Sequence, residues 1–159
     1  MASCKCATFD DLEFLRTVIS KRIKVTKALI APFEHLAKDA TEEHSLLRCG
    51  NCGQFWQVSR AWNWGNNEYA FRVPDTSVDD WLERQYVQPD ELMLYASALS
   101  NLPAPEATVI PCRELGCSEL AIKFSVFCRR HHLNQLRSMG QFPAYPSGKW
   151  FSPYVAFRT

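Results

Sequence analysis

No stretch of the 159-residue sequence stays apolar for the ~20 residues that a membrane-spanning helix requires. The first residues, MASCKCATFDDLEF, also lack the charged start and apolar run of a secretory signal. Neither a membrane protein nor a secreted one is expected, and the chain is read as cytoplasmic. Basic residues are not in excess: 18 Lys and Arg stand against 17 Asp and Glu, for a net charge of +1. A protein that grips a long phosphate backbone usually carries a clear positive surplus, so extensive nucleic-acid binding is disfavoured. No glycine-rich phosphate loop or dinucleotide turn occurs, and no nucleophile–base pair stands out. An enzyme is therefore not expected. There is no internal repeat and no low-complexity segment.

What the sequence does contain is a globular composition, 47% apolar and 13% aromatic, and seven cysteines. The length suits one domain, or one domain with a small appended module. An odd number of thiols cannot close a complete intrachain disulfide set. In a reducing compartment they favour metal binding.

The fold class expected is α+β: helices and a β-hairpin pinned by two structural zinc sites, with a small C-terminal zinc module. Asp10 or Asp11 is placed to cap a helix whose inner face carries Leu12, Leu15, Ile19 and Ile23. Pro32 interrupts it, and Phe33–Lys38 reads as a second short helix. Gln54–Arg60 and Glu68–Val73 alternate like strands around the turn residues Gly65, Asn66 and Asn67, with Tyr69, Phe71 and Val73 on one face. Ser77 caps a short helix holding Trp81 and Leu82. Pro89 opens another that runs through Leu92, Leu94, Tyr95 and Leu99. The organisation expected is a main domain over 1–100, a proline-rich linker over 101–111, a zinc module over 112–137, and an aromatic strap over 138–159.

Cys49-Gly50-Asn51-Cys52-Gly53 presents two thiolates on one tight turn, with glycines that let backbone N–H groups approach the sulfurs. The motif resembles the knuckle of zinc ribbons. A structural zinc needs four ligands. Cys4 and Cys6 offer the second pair, with His35 and His44 as competing ligands. Further along, Cys112, Cys117, Cys128 and His131 lie within 20 residues, with His132 as the rival of His131. Gly116 permits the turn, Phe124, Val126 and Phe127 provide an apolar strand leading to Cys128, and His131 follows in the first turn of a helix. Residues 112–137 resemble small Cys3His zinc fingers of the treble-clef kind, in which a knuckle, a hairpin and a helix start share one ion. Ala121 sits where those fingers often place a small residue. Seven cysteines and one histidine make eight ligands, enough for two closed structural zinc sites.

Trp56, Trp62 and Trp64 cluster within nine residues, as core and hairpin packing, as a stacking platform for exposed bases, or as a partner-binding hot spot. Arg129, Arg130, His131, His132 and Arg137 form a local basic stripe, read either as a contact for phosphate or an acidic partner or as a solvated helix face. The stretch from Leu47 through Tyr95, with CGNCGQFWQ, WNWGNNEY, DDWL and QPDEL, is faintly similar to bacterial immunity proteins that neutralise polymorphic toxins. That resemblance implies a stoichiometric toxin inhibitor. The functional expectation is a zinc-binding, non-enzymatic protein that binds another protein. The alternative is a nucleic-acid-binding zinc-finger regulator.

Overall fold

The computed structural model describes residues 4–102 and 106–157. The chain packs as two compact units, Met1–Met93 together with Pro146–Thr159, and Leu94–Tyr145. The architecture is α+β, as the sequence pattern predicts. Among the described residues, no helix is long and apolar enough to cross a membrane.

The first unit is an antiparallel four-stranded meander, β1 (Phe33–Lys38), β2 (Ser45–Cys49), β3 (Phe55–Ala61) and β4 (Asn67–Val73). Strands β3 and β4 are the expected hairpin, paired from Phe55↔Val73 to Ala61↔Asn67. Gly65 at φ 70° and Asn66 at φ 57° turn the chain between them. Side chains alternate across a strand, and β3 is buried on both faces. Trp56 and Val58 face the side that carries Leu29, Cys6 and Cys49. Gln57 and Ser59 share the other face with Tyr69 and Phe71.

Helix α1 (Arg16–Ile30) packs on β4. It starts later than the Asp10 or Asp11 cap predicts, after Leu15, which provides no side-chain cap. The reason is tertiary. The backbone N–H and C=O of Leu12 are both bonded by the Tyr154 hydroxyl, and Arg22 donates to the Asp10 carbonyl at 2.7 Å. These contacts hold residues 10–12 outside the helix. The buried positions of α1 are Ile19, Arg22, Thr26 and Leu29, whereas Leu15 is exposed. Phe33–Lys38 is a strand and not the expected second helix. Pro32 stops α1, and the following backbone finds its hydrogen bonds across the sheet in β2 instead.

Helix α2 (Val78–Glu83) is capped by Ser77, whose hydroxyl accepts from Asp80 N–H at 3.1 Å. Its Trp81 is fully buried, and Gln57 binds the Trp81 indole N–H and both backbone groups of Tyr86. Part of the C-terminal segment, residues 149–154, packs on this face. Lys149 exchanges backbone bonds with Gln85 and Val87, and Phe151 packs on Phe71, Tyr86 and Tyr154. A Cβ at residue 148 would meet Val87 N at 2.6 Å, so only glycine allows the strap this close.

Helix α3 (Pro89–Ser100) begins in the first unit and continues in the second. The second unit also holds β5 (Ala107–Pro111), β6 (Leu120–Ile122) and α4 (Arg129–Ser138). Much of the segment expected as a linker is thus strand β5, because its backbone pairs with β6. Residues 103–105 of that expected linker lie outside the described residues. Tyr95, Leu133 and Phe142 form the apolar core of this unit, with Leu99, Leu102 and Leu136 against it.

Candidate metal centres

The first cluster is built by a hairpin turn and the N-terminal segment. Cys49 ends β2, and Phe55 begins β3. Cys49 N–H donates to Gln54 C=O and Gly53 N–H to Cys49 C=O, at 2.9 and 2.8 Å, with Gly53 at φ 75°. This closes the turn and carries Cys52 back beside Cys49. Cys4 approaches from a separate segment, its sulfur 3.4 Å from that of Cys49 and 3.3 Å from that of Cys52. Residues 6–8 form a 3-10 turn, and Cys6 N–H donates to the Cys4 sulfur at 3.2 Å. Cys6 and Cys49 are buried, Cys4 is partly covered and Cys52 is exposed.

The second cluster lies within one short stretch. Cys112 follows β5, Gly116 at φ 76° turns the chain, and Cys117 precedes β6. Cys128 is the N-cap residue of α4, and His131 sits in the first turn. The His131 Nδ1 atom is 3.4 Å from the Cys112 sulfur and 3.3 Å from that of Cys128, while Cys117 and Cys128 are 3.9 Å apart. Cys128 N–H donates to the Cys112 sulfur at 3.2 Å. Ala121 is fully buried.

Within each cluster the four ligand atoms lie within 4.8 Å of one another, so each can hold a metal ion. All seven thiols are free. A tetrahedral ion with bonds of about 2.3 Å to sulfur and about 2.0 Å to nitrogen separates its ligand atoms by roughly 3.5–3.8 Å, close to the observed spacings. Donors are aimed at the sulfurs as a bound thiolate needs. Burial pushes the Cys49 thiol up, but the N–H groups of Cys52 and Asn51 outweigh it and hold the pKa at about 7. Cys112 is raised by burial and lowered more strongly by the N–H groups of Cys128 and Glu114, to about 6. Burial dominates at Cys6, which is raised, and at Cys128, which is raised to about 11. The buried indole Nε1 of Trp56 makes no hydrogen bond within normal geometry, yet its effect on Cys6 is to lower the thiol pKa. A thiolate at Cys6 gives that orphaned donor an acceptor, so the surroundings fit a bound ion.

The competing histidines are placed elsewhere. His132 Nδ1 is 3.1 Å from the Ser125 hydroxyl, and His44 Nδ1 is 2.8 Å from that of Ser59. His35 is exposed on β1. The run Phe124–Phe127 is not the expected apolar strand: β6 ends at Ile122, and Phe124 sits at φ 64° and is 96% exposed. The basic stripe on α4 is incomplete as a phosphate surface. Arg137 lies over the rings of Tyr95, Phe142 and Tyr145 and donates to Asn134 and the Tyr95 hydroxyl.

A polar network in the first unit escaped sequence reasoning. Asp90 is fully buried, and its Oδ1 accepts from the Tyr69 hydroxyl and from Gln88. Burial raises its pKa. Glu91 and His44 line an adjoining polar cavity of about 340 Å³ with Glu43, Glu83, Arg84 and Gln88. Burial, then the neighbouring Asp90 charge, pushes Glu91 up to about 7. In the sequence these carboxylates look like ordinary first-turn acids on helices. Only the packing of Tyr69 and Gln88 separates them from the rest.

The chain matches no known protein family, no curated protein and no solved structure.

Proposed function

We propose that this is a non-enzymatic protein that holds two structural zinc ions and acts by binding another protein. Zinc suits both ligand sets, because four thiolates, or three with an imidazole, in a tetrahedral array are its usual structural environment. With four ligands already supplied by the chain, neither site leaves a position for water or substrate. That supports a structural role over a catalytic one.

The observation that carries the binding role is the apolar surface of the second unit. Val109, Leu115 and Phe124 are 92%, 98% and 96% exposed, and Ile110, Leu120 and Val126 are exposed as well. A small zinc-pinned module spends little of its surface on its own core, and apolar groups held this far out are available to a partner, which supports a binding role. Phe124 adds a backbone conformation that a bulky residue rarely adopts, of the kind that persists where function maintains it. The finer form of the proposal is an immunity-type inhibitor of a bacterial toxin, supported by the Leu47–Tyr95 stretch.

Affinity capture with the tagged, zinc-loaded chain tests this reading. One protein partner should be retained at high salt, and Leu115→Ser with Phe124→Ser should lose it while keeping both ions. Capture of nucleic acid instead, weakened by salt and lost on Arg129→Ala and Arg130→Ala, would favour the nucleic-acid alternative.

A further inference from the structure

The two metal centres differ in how their sulfurs meet solvent. In the second, Cys112 and Cys128 are buried, Cys117 is partly covered and lies 3.9 Å from Cys128, and the fourth ligand is a histidine, which cannot join a disulfide. In the first, Cys52 is exposed and Cys4 partly so, and their sulfurs are 3.3 Å apart. The other two sulfurs, Cys6 and Cys49, are each 4% exposed.

Oxidation of cysteine follows thiolate character and access, and a second thiol within reach converts the first product to a disulfide. We propose that Cys4 and Cys52 form an oxidation site for hydrogen peroxide, and that the first centre releases its ion on oxidation while the second keeps its own. The proposal rests on the reading of the first cluster as a metal centre. The chemistry is balanced on the two sulfurs. The Cys52 thiolate attacks one peroxide oxygen, the O–O bond breaks, and Cys52 becomes a sulfenic acid with loss of hydroxide. The Cys4 thiolate then attacks the Cys52 sulfur and expels a second hydroxide. Two thiolates and one peroxide thus give one disulfide and two hydroxides.

The choice of pair follows from position. Cys52 is the sulfur that peroxide reaches, and Cys4 is a near neighbour that is itself partly accessible. Cys49 is buried at the end of β2, where peroxide does not reach it. The bridge removes two of four ligands but leaves the N-terminal segment tied to the Cys49–Cys52 turn. A thiol reductant can therefore restore the site without refolding the sheet.

The test treats the full, zinc-loaded chain with hydrogen peroxide. A chromogenic chelator follows ion release, and non-reducing peptide mapping after alkylation reports the sulfurs. The expected result is a first phase that releases one ion per chain, a Cys4–Cys52 link, and alkylated Cys112, Cys117 and Cys128. Release of both ions at one rate, or a first link at Cys49–Cys52 or Cys117–Cys128, overturns the proposal. Cys52→Ser should abolish the fast phase; if that variant does not fold, the peptide map of the unaltered chain decides. A chain that takes up no zinc would refute the metal reading alone. The same map on the reduced, metal-free chain then still tests the sulfur pair, and a first link other than Cys4–Cys52 overturns it.

Discussion

The buried indole nitrogen of Trp56 has no hydrogen-bond partner, and Trp56 packs in one apolar cluster with Cys6 and Cys49 of the first candidate metal centre. Trp56 is packed with no exposure between Phe9 and Phe33, with the Arg22 guanidinium over its ring. A buried donor without an acceptor costs free energy, and a metal-bound thiolate removes that cost. Trp56 would therefore tie an ion bound at Cys6 to the sheet core.

Trp56→Phe keeps the ring packing and deletes only this donor and some volume. Competition with a zinc chelator should show the first centre weakened roughly 10–100-fold, the range for loss of a supporting hydrogen bond at a metal site. The second centre should be unchanged. Equal affinity in the variant and the unaltered chain would remove Trp56 from the account.

The three clustered tryptophans have separate fates, and this bears on binding. Trp56 is core. Trp64 donates to Ser20 at 3.0 Å and lies 4.7 Å from the Arg16 guanidinium. Trp62 is 63% exposed. If the partner engages this hairpin, Trp62→Ala should weaken binding by ~2 kcal/mol or more, read by calorimetry, with zinc content and fold unchanged. Undiminished affinity would confine the partner to other surfaces.

Glu91 sets a pH dependence whose direction follows from its raised pKa. The folded chain keeps the Glu91 proton up to about pH 7, whereas an unfolded glutamate releases it near its ordinary value. Between those values the folded state binds more protons, so stability falls as pH rises through this window. Glu91→Gln should remove that slope and raise stability at pH 8 by about 1–3 kcal/mol, with little gain at pH 4. Parallel denaturation curves for the two proteins across the range would contradict the assignment.

In the second unit a bound ion would supply much of what a small apolar core cannot. Cys128→Ala should therefore abolish hydrogen-exchange protection across β5, β6 and the start of α4. The β1–β4 sheet should retain its protection. Uniform protection in the variant would mean that the module folds without its ion.

Much of this was legible in the sequence because ligand chemistry is local. A Cys-x-x-Cys turn between strands, and a Cys–His pair at helical spacing, place their atoms with little help from the rest of the chain. The β3–β4 hairpin was legible for the same reason, through alternation and its Gly-Asn turn. What the sequence hid depends on distant partners. Phe33–Lys38 became a strand because β2 lies beside it, and the start of α1 was set by Tyr154, 142 residues from Leu12. Nothing in the local pattern separates buried Trp56 from exposed Trp62, or marks Asp90 as the fully buried acid.

Seven cysteines and His131 are read as two closed, four-ligand metal sites, and native mass spectrometry of the full chain, with elemental analysis, counts the ions they hold. Two zinc ions per chain are expected, falling to one on substitution of Cys49 and, separately, of Cys112. A folded chain that carries no metal, or that keeps both ions in either variant, would contradict that reading.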